Sequence, residues 1–172
     1  IIDNYRNSLL RNVIFKNLNT LDKYGWSLTG AVTFFQSNIT IDSCMFADNY
    51  CEDALNLVQS NFTFSNSIVK NTFSDGLDAD FCTGTISNSI FRNTGNDCID
   101  VSGSSIEISQ SEIQNSGDKG ISGGEKSVVK VSNTSINRAK IAIASKDLSI
   151  VYVDSISIKN VVRHKVSSKL ES

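Results

Sequence analysis

Residues 75–124 read DGLDADFCTGTISNSIFRNTGNDCIDVSGSSIEISQSEIQNSGDKGISGG, one pattern written three times. Asp75 steps to Asp97 and then to Lys119, Leu77 to Ile99 and Ile121, and Ser67 to Ser89 and Ser111, each time by 22 residues. A fixed period of this size marks a solenoid, whose repeats cannot bury an apolar face alone and must stack on their neighbours.

Outward from this stretch the same columns continue. Phe15, Phe46, Val69, Phe91, Ile113, Ile136 and Ile158 form one apolar column. Val32, Leu55, Leu77, Ile99, Ile121 and Ile141 form a second, and Leu10, Ile41, Phe64, Ile86, Ile108, Val131 and Val153 a third. These positions lie in short runs of alternating polarity, such as FTFS, GTIS, IEIS and VKVS. Alternation of period two means strands with one face buried. The chain is therefore expected to be all-β: a right-handed, single-stranded parallel β-helix of about seven coils, each of ~22 residues, with the hand taken from the usual preference of parallel crossovers.

Two polar columns mark the bends. Asn12, Ser43, Asn66, Asn88, Gln110 and Asn133 fall between the second and third strand of each coil. Asn17, Asp48, Asn71, Asn93, Asn115, Arg138 and Asn160 follow the third strand. Asn tolerates the left-handed backbone of a tight bend, and its amide can bond to the next copy above. These columns read as structural ladders.

At 172 residues and 40% hydrophobic, the chain fits one domain with a sizeable core. It contains no proline, which suits a fold whose ladders need nearly every backbone N–H. No apolar run approaches a membrane span, so membrane insertion is not expected. No basic patch with interleaved aromatics points to nucleic acid. The chain begins mid-pattern with IIDNY, and a neighbouring domain or subunit is expected over an uncapped N-terminal end. Residues 18–30 read as a loop insertion carrying Tyr24 and Trp26, an aromatic pair that either stacks on sugar rings or folds over the core edge. Residues 161–172 lose the pattern and read as an irregular end. Cys44, Cys51, Cys82 and Cys98 fit no zinc spacing. Cys44 reads as a buried thiol, and Cys51 and Cys82 fall in turns of adjacent coils, where a disulfide is one expectation.

Charge is uneven. The net value is −2, yet residues 42–100 hold nine acids against Lys70 and Arg92. Because Leu77, Ile99 and Ile121 point inward, the residues after them point out: Thr33, Asn56, Asp78, Asp100, Ser122 and Ala142 in the successive coils. Asp53, Asp75, Asp97 and Lys119 lie just before that strand. One patch should thus gather Asp75, Asp78, Asp97 and Asp100, with Asp80 and Asn56 close by. Like charges stacked ~5 Å apart repel unless a cation or a shared proton relieves them. Hard oxygen ligands suit Ca²⁺, so these four aspartates are the expected metal set. Gly76 and Gly120, with Cys98 between them, would keep the neighbouring column low for a bulky ligand. Lys16, Lys70, Arg92 and Lys159 make a partial basic column on another face, read as a solvated face.

The coil pattern resembles the pectin-lyase-like superfamily of right-handed β-helices over nearly the whole chain. DGLD, then NDCI, then GDKGIS is similar to the active-site strip of polygalacturonase-type glycoside hydrolases, which carry NTDG, DDC and GHG stretches one coil apart. Asp75 matches the acid before the first glycine and Asp97 the second acid of the pair. Asn96, however, stands where that family places its general acid, and Lys119 where it places histidine. The later Arg-x-Lys motif has no match at the expected distance. An amide cannot give a leaving sugar oxygen a proton as a carboxylic acid can, which argues against hydrolysis by that route. The pattern is also similar to β-helix segments of large bacterial surface proteins. These likenesses imply a secreted, extracellular or cell-surface protein whose partner is a polysaccharide or other glycan.

Three readings follow. In the first, the outward first-strand face recognises a polysaccharide through Asp75, Asp78, Asp97, Asp100 and Lys119. In the second, a lyase or epimerase uses Asp97 and Lys119 as catalytic candidates, with Lys119 or Arg138 removing a proton beside a sugar carboxylate that calcium neutralises. The third is a structural spacer or adhesin stalk.

Overall fold

The structure, a computed structural model, describes residues 6–23, 25–163 and 168–169. Every regular element among them is a strand. Three strands recur in each coil, as in Asp75–Asp80, Thr83–Ser87 and Ile90–Thr94. Each pairs in parallel with its copy one coil away, so that Leu77 lies beside Ile99, Ile86 beside Ile108 and Phe91 beside Ile113. The second strands form a seven-stranded sheet. The chain is a parallel β-helix. Its first and third strands belong to one sheet because the strand Ser135–Lys146 continues from one face to the other through the corner at Arg138.

Alternation puts the apolar columns inside. Phe46, Phe64, Phe91, Leu77, Ile86 and Ile99 have no exposed surface. Rings from the first and third columns line up in one file, with centroids 5.0 Å apart for Phe15–Phe46, 6.2 Å for Phe46–Phe64 and 5.7 Å for Phe64–Phe91. Each buried side chain of this size contributes about 1.5–3 kcal/mol relative to exposure.

The corners follow from residues that accept a left-handed backbone. Asn12, Asn66, Asn88 and Asn133 have φ between 47° and 57°, and Asn17, Asn71, Asn93, Asn115 and Asn160 between 53° and 57°. Their amides form ladders: Asn115 donates to Asn93 (2.9 Å), Asn93 to Asn71 (2.9 Å) and Asn71 to Asp48 (2.9 Å). A third left-handed corner follows the first strand at Gln36, Gln59, Phe81 and Gly103. Nothing in residue type had marked it, because Phe81 is foreign to that conformation.

Hydroxyls close two of the corners. The N–H groups of Cys44, Ser67 and Ser89 donate to the Oγ of Ser67, Ser89 and Ser111 in the next coil, at 2.9, 3.1 and 3.3 Å. Ser60, Cys82, Ser104 and Ser127 form a second such ladder, in which Cys82 N–H reaches Ser104 Oγ at 2.7 Å. Cys82 therefore occupies a serine position. All four cysteines are buried free thiols, so the expected Cys51–Cys82 disulfide is not formed.

Two assignments shift. Ile143, not Ile141, lies beside Ile121, and Ala144, not Ala142, beside Ser122. The run IAIA looks the same after a slip of two residues, so alternation alone could not choose the phase. The 18–30 insertion folds partly as a hairpin, Leu21–Lys23 against Trp26–Leu28. Tyr24 and the Trp26 side chain lie outside the described residues. The strand Ser157–Arg163 carries the regular pairing past residue 161, and Ser168–Lys169 pairs with Ser145–Lys146 beyond it.

Candidate functional site

The first-strand sheet carries the row Thr33, Asn56, Asp78, Asp100, Ser122 and Ala144 in register on consecutive coils. This row is recessed: Asn56 is 6% exposed and Ser122 fully buried. The Asn56 amide donates to Asp78 at 3.0 Å, and Asp100 accepts the Val101 N–H at 2.9 Å. Ser122 Oγ is buried, with no hydrogen-bond partner among the described residues. Burial, reinforced by the charges of Asp53, Asp80, Asp100 and Asp75, pushes Asp78 up to about 8. Asp80 is raised as well, by burial and then by Asp100 and Glu125. At neutral pH Asp78 is thus largely protonated and can both donate and accept.

Asp75 and Asp97 are placed differently from the sequence expectation. They share the parity of Leu77 and Ile99, so their side chains turn inward at the corner instead of outward beside Asp78 and Asp100. Asp97 is 1% exposed and Asp75 9%. Asp75 Oδ1 accepts the Asp97 N–H at 2.8 Å, and Asp97 Oδ1 accepts the Lys119 N–H at 2.9 Å. Burial drives Asp97 up to about 6, against the opposing pull of the Lys119 N–H and ammonium. Asp53, at the same corner one coil earlier, rises to about 7 through burial despite a hydrogen bond from Thr29. Lys119 Nζ lies 3.3 Å from Asp97 Oδ2 and 2.6 Å from Asp118 Oδ2. Burial would lower its pKa, but Asp118 and Asp97 outweigh it and hold the ammonium charged. Arg138 sits exposed at a left-handed corner after the third strand, on a different edge.

Among the described residues no group of three or more His, Cys, Asp or Glu side chains is arranged to hold a metal ion. Of the four aspartates in the calcium expectation, Asp75, Asp97 and Asp100 each accept a backbone N–H, and Asp78 accepts the Asn56 amide. The glycines have an internal reason too. A Cβ at Gly76 would lie 2.5 Å from the Cys98 carbonyl oxygen, and one at Gly120 2.6 Å from that of Ala142. They allow close coil stacking.

Sequence reasoning missed the aromatics around this face. Tyr50 and Phe73 stand on neighbouring coils just before the first strand, 63% and 73% exposed. Phe81 stands just after it, 59% exposed. The signal was available in the repeat: the column of Tyr50 and Phe73 passes to Gly95 and Gly117 at the same 22-residue step.

Stacked parallel strands, apolar columns and corner ladders define the class, a parallel β-helix with a recessed polar row on one face. No protein-family model matches the chain, and no curated protein matches it in sequence. Among solved structures it is similar to the A-module of a mannuronan C-5 epimerase from Azotobacter vinelandii, at 10% identity and a TM-score of 0.49. That likeness covers 94% of this chain and 58% of the other.

Proposed function

We propose that this β-helix binds a polysaccharide across its first-strand face, as a protein acting on extracellular or cell-surface polymers. The observation that carries this reading is the exposed pair Tyr50 and Phe73 beside a recessed row of hydrogen-bonding groups. Exposed rings offer a flat apolar surface to the C–H faces of sugars, and the polar row fixes orientation. Half-buried Asp78 and Asp100 offer polar groups on successive coils, with Asn56 orienting Asp78 from the coil before, a spacing an extended polymer can follow. Binding is favoured over lyase or epimerase chemistry by the state of the catalytic candidates. Lys119 is held as an ion-paired cation and Asp97 is enclosed, so neither is poised to take a proton from a sugar.

Affinity electrophoresis against soluble polysaccharides tests this. Phe73→Ala should weaken retardation about tenfold, equal to about 1.4 kcal/mol, without a lower melting temperature, and Asp78→Ala should weaken it to a similar extent. Retardation by no polymer, or equal retardation of the variants, overturns the reading. Repeating the assay with calcium and with chelator measures the calcium expectation, since Asp78, Asp80 and Asp100 are the carboxylates left to serve a cation.

A further inference from the structure

The second-strand sheet presents a surface of another kind. Its outward residues form two rows, Asn38, Asn61, Thr83 and Ser105, and beside them Thr40, Thr63 and Thr85. Between the rows lies an open groove of about 580 Å³. Inward-facing Phe62 and Gly84 contribute to its floor, and Gly84 is required there because a Cβ would meet the Phe62 ring at 2.5 Å. We propose that this groove is a second binding site, distinct from the first-strand face, and that it takes an uncharged glycan chain.

The lining decides the ligand class. Thr63, Thr83, Thr85 and Ser105 are exposed, and their hydroxyls make no hydrogen bond to the protein among the described residues. Each hydroxyl can donate once and accept twice, which matches a polyol. The first charged member is Glu107, and it is already paired with Lys130 at 2.7 Å. An ionic ligand would find no counter-charge here. The lining runs over five coils from Asn7 to Ser105, so at ~4.8 Å spacing the groove is ~19 Å long, and it is shallow, which suits an extended chain better than a compact molecule.

A separate feature sits at the corner between the first-strand face and the groove. Phe81, two residues before Thr83, holds a left-handed φ of 53° while 59% exposed. A bulky residue in that conformation is strained, and such strain gathers at functional positions. Its ring lies against Gly103 of the next coil, where a Cβ would sit 2.6 Å from the ring. The ring is thus supported from below and offers a stacking surface at the edge of the hydroxyl array.

Affinity electrophoresis distinguishes this site from the first-strand face when neutral polymers (xylan, galactan, hydroxyethyl cellulose) are run beside acidic ones (alginate, pectate). Thr85→Arg, which fills the groove, should cut affinity for a neutral polymer at least tenfold, and Phe81→Ala, at the corner shared by both faces, should weaken it less. Tyr50→Ala/Phe73→Ala, on the other face, should leave that affinity intact. Thr85→Val, which removes only a hydroxyl, reports on the groove if the arginine variant does not fold. The proposal is overturned if no neutral polymer binds, if the groove variants bind it as the parent does, or if the loss follows Tyr50 and Phe73 alone.

Discussion

Two corners of the same coil solve one problem with different chemistry. After the first strand, Ser60, Cys82, Ser104 and Ser127 accept a backbone N–H from the preceding coil. Ser104 Oγ also donates a hydrogen bond to the Ser102 carbonyl at 2.8 Å, as a hydroxyl can and a carboxylate cannot. Before the first strand, Asp75 and Asp97 accept an N–H from the following coil instead. The neutral ladder stacks without penalty. The carboxylate ladder places charges on successive coils, and burial plus mutual repulsion raises their pKa values. A bend needs only an acceptor, so the carboxylates bring an acidity that the fold does not require.

The largest expected effect breaks the acidic corner. Asp97→Ala would orphan the Lys119 N–H and leave the Lys119 ammonium with Asp118 alone. It should cost about 1–3 kcal/mol, a figure that chemical denaturation would measure. An unchanged midpoint would mean that the carboxylate corner is as dispensable as a surface charge.

A smaller effect separates the corners by pH. Asp53, Asp78 and Asp97 have folded pKa values of about 7, 8 and 6, above the ordinary 3.8. The folded state therefore keeps protons that the unfolded chain releases near pH ~4, and the stability they contribute is full below that point. It is lost as pH rises toward about 8, so the melting temperature should fall across this window. Asp78→Asn, which mimics the protonated acid, should flatten the slope. A melting temperature that climbs from pH 5 to 8 would contradict the raised values.

The smallest effect sharpens the contrast from the neutral side. Cys82→Ser restores the ladder's usual residue and should change stability by less than about 1 kcal/mol, as isosteric exchanges do. A large loss would show that the thiol supports something besides the corner.

The sequence made the coil plainly legible. The seven members from Phe15 to Ile158 fall in register as spaced, because a buried column of large side chains tolerates no slip. The site was less legible. Asp75 and Asp78 look alike in sequence, yet a difference of three residues reverses which side of the strand each occupies. Their roles depend on parity at a corner, where alternation no longer dictates exposure. Phe73 and Phe81 escaped notice for a related reason: apolar residues suggest core, and only the coil geometry shows these two facing solvent.

The pairing of each coil with only the two beside it has a mechanical consequence. Tension on the chain ends would load the helix in series, so coils should detach from an end one after another. Each released coil of 22 residues would lengthen the chain by roughly 70–80 Å of contour. Pulled in this way, the molecule would yield as a ratchet of near-equal steps, and it would absorb work over a distance far longer than its folded height.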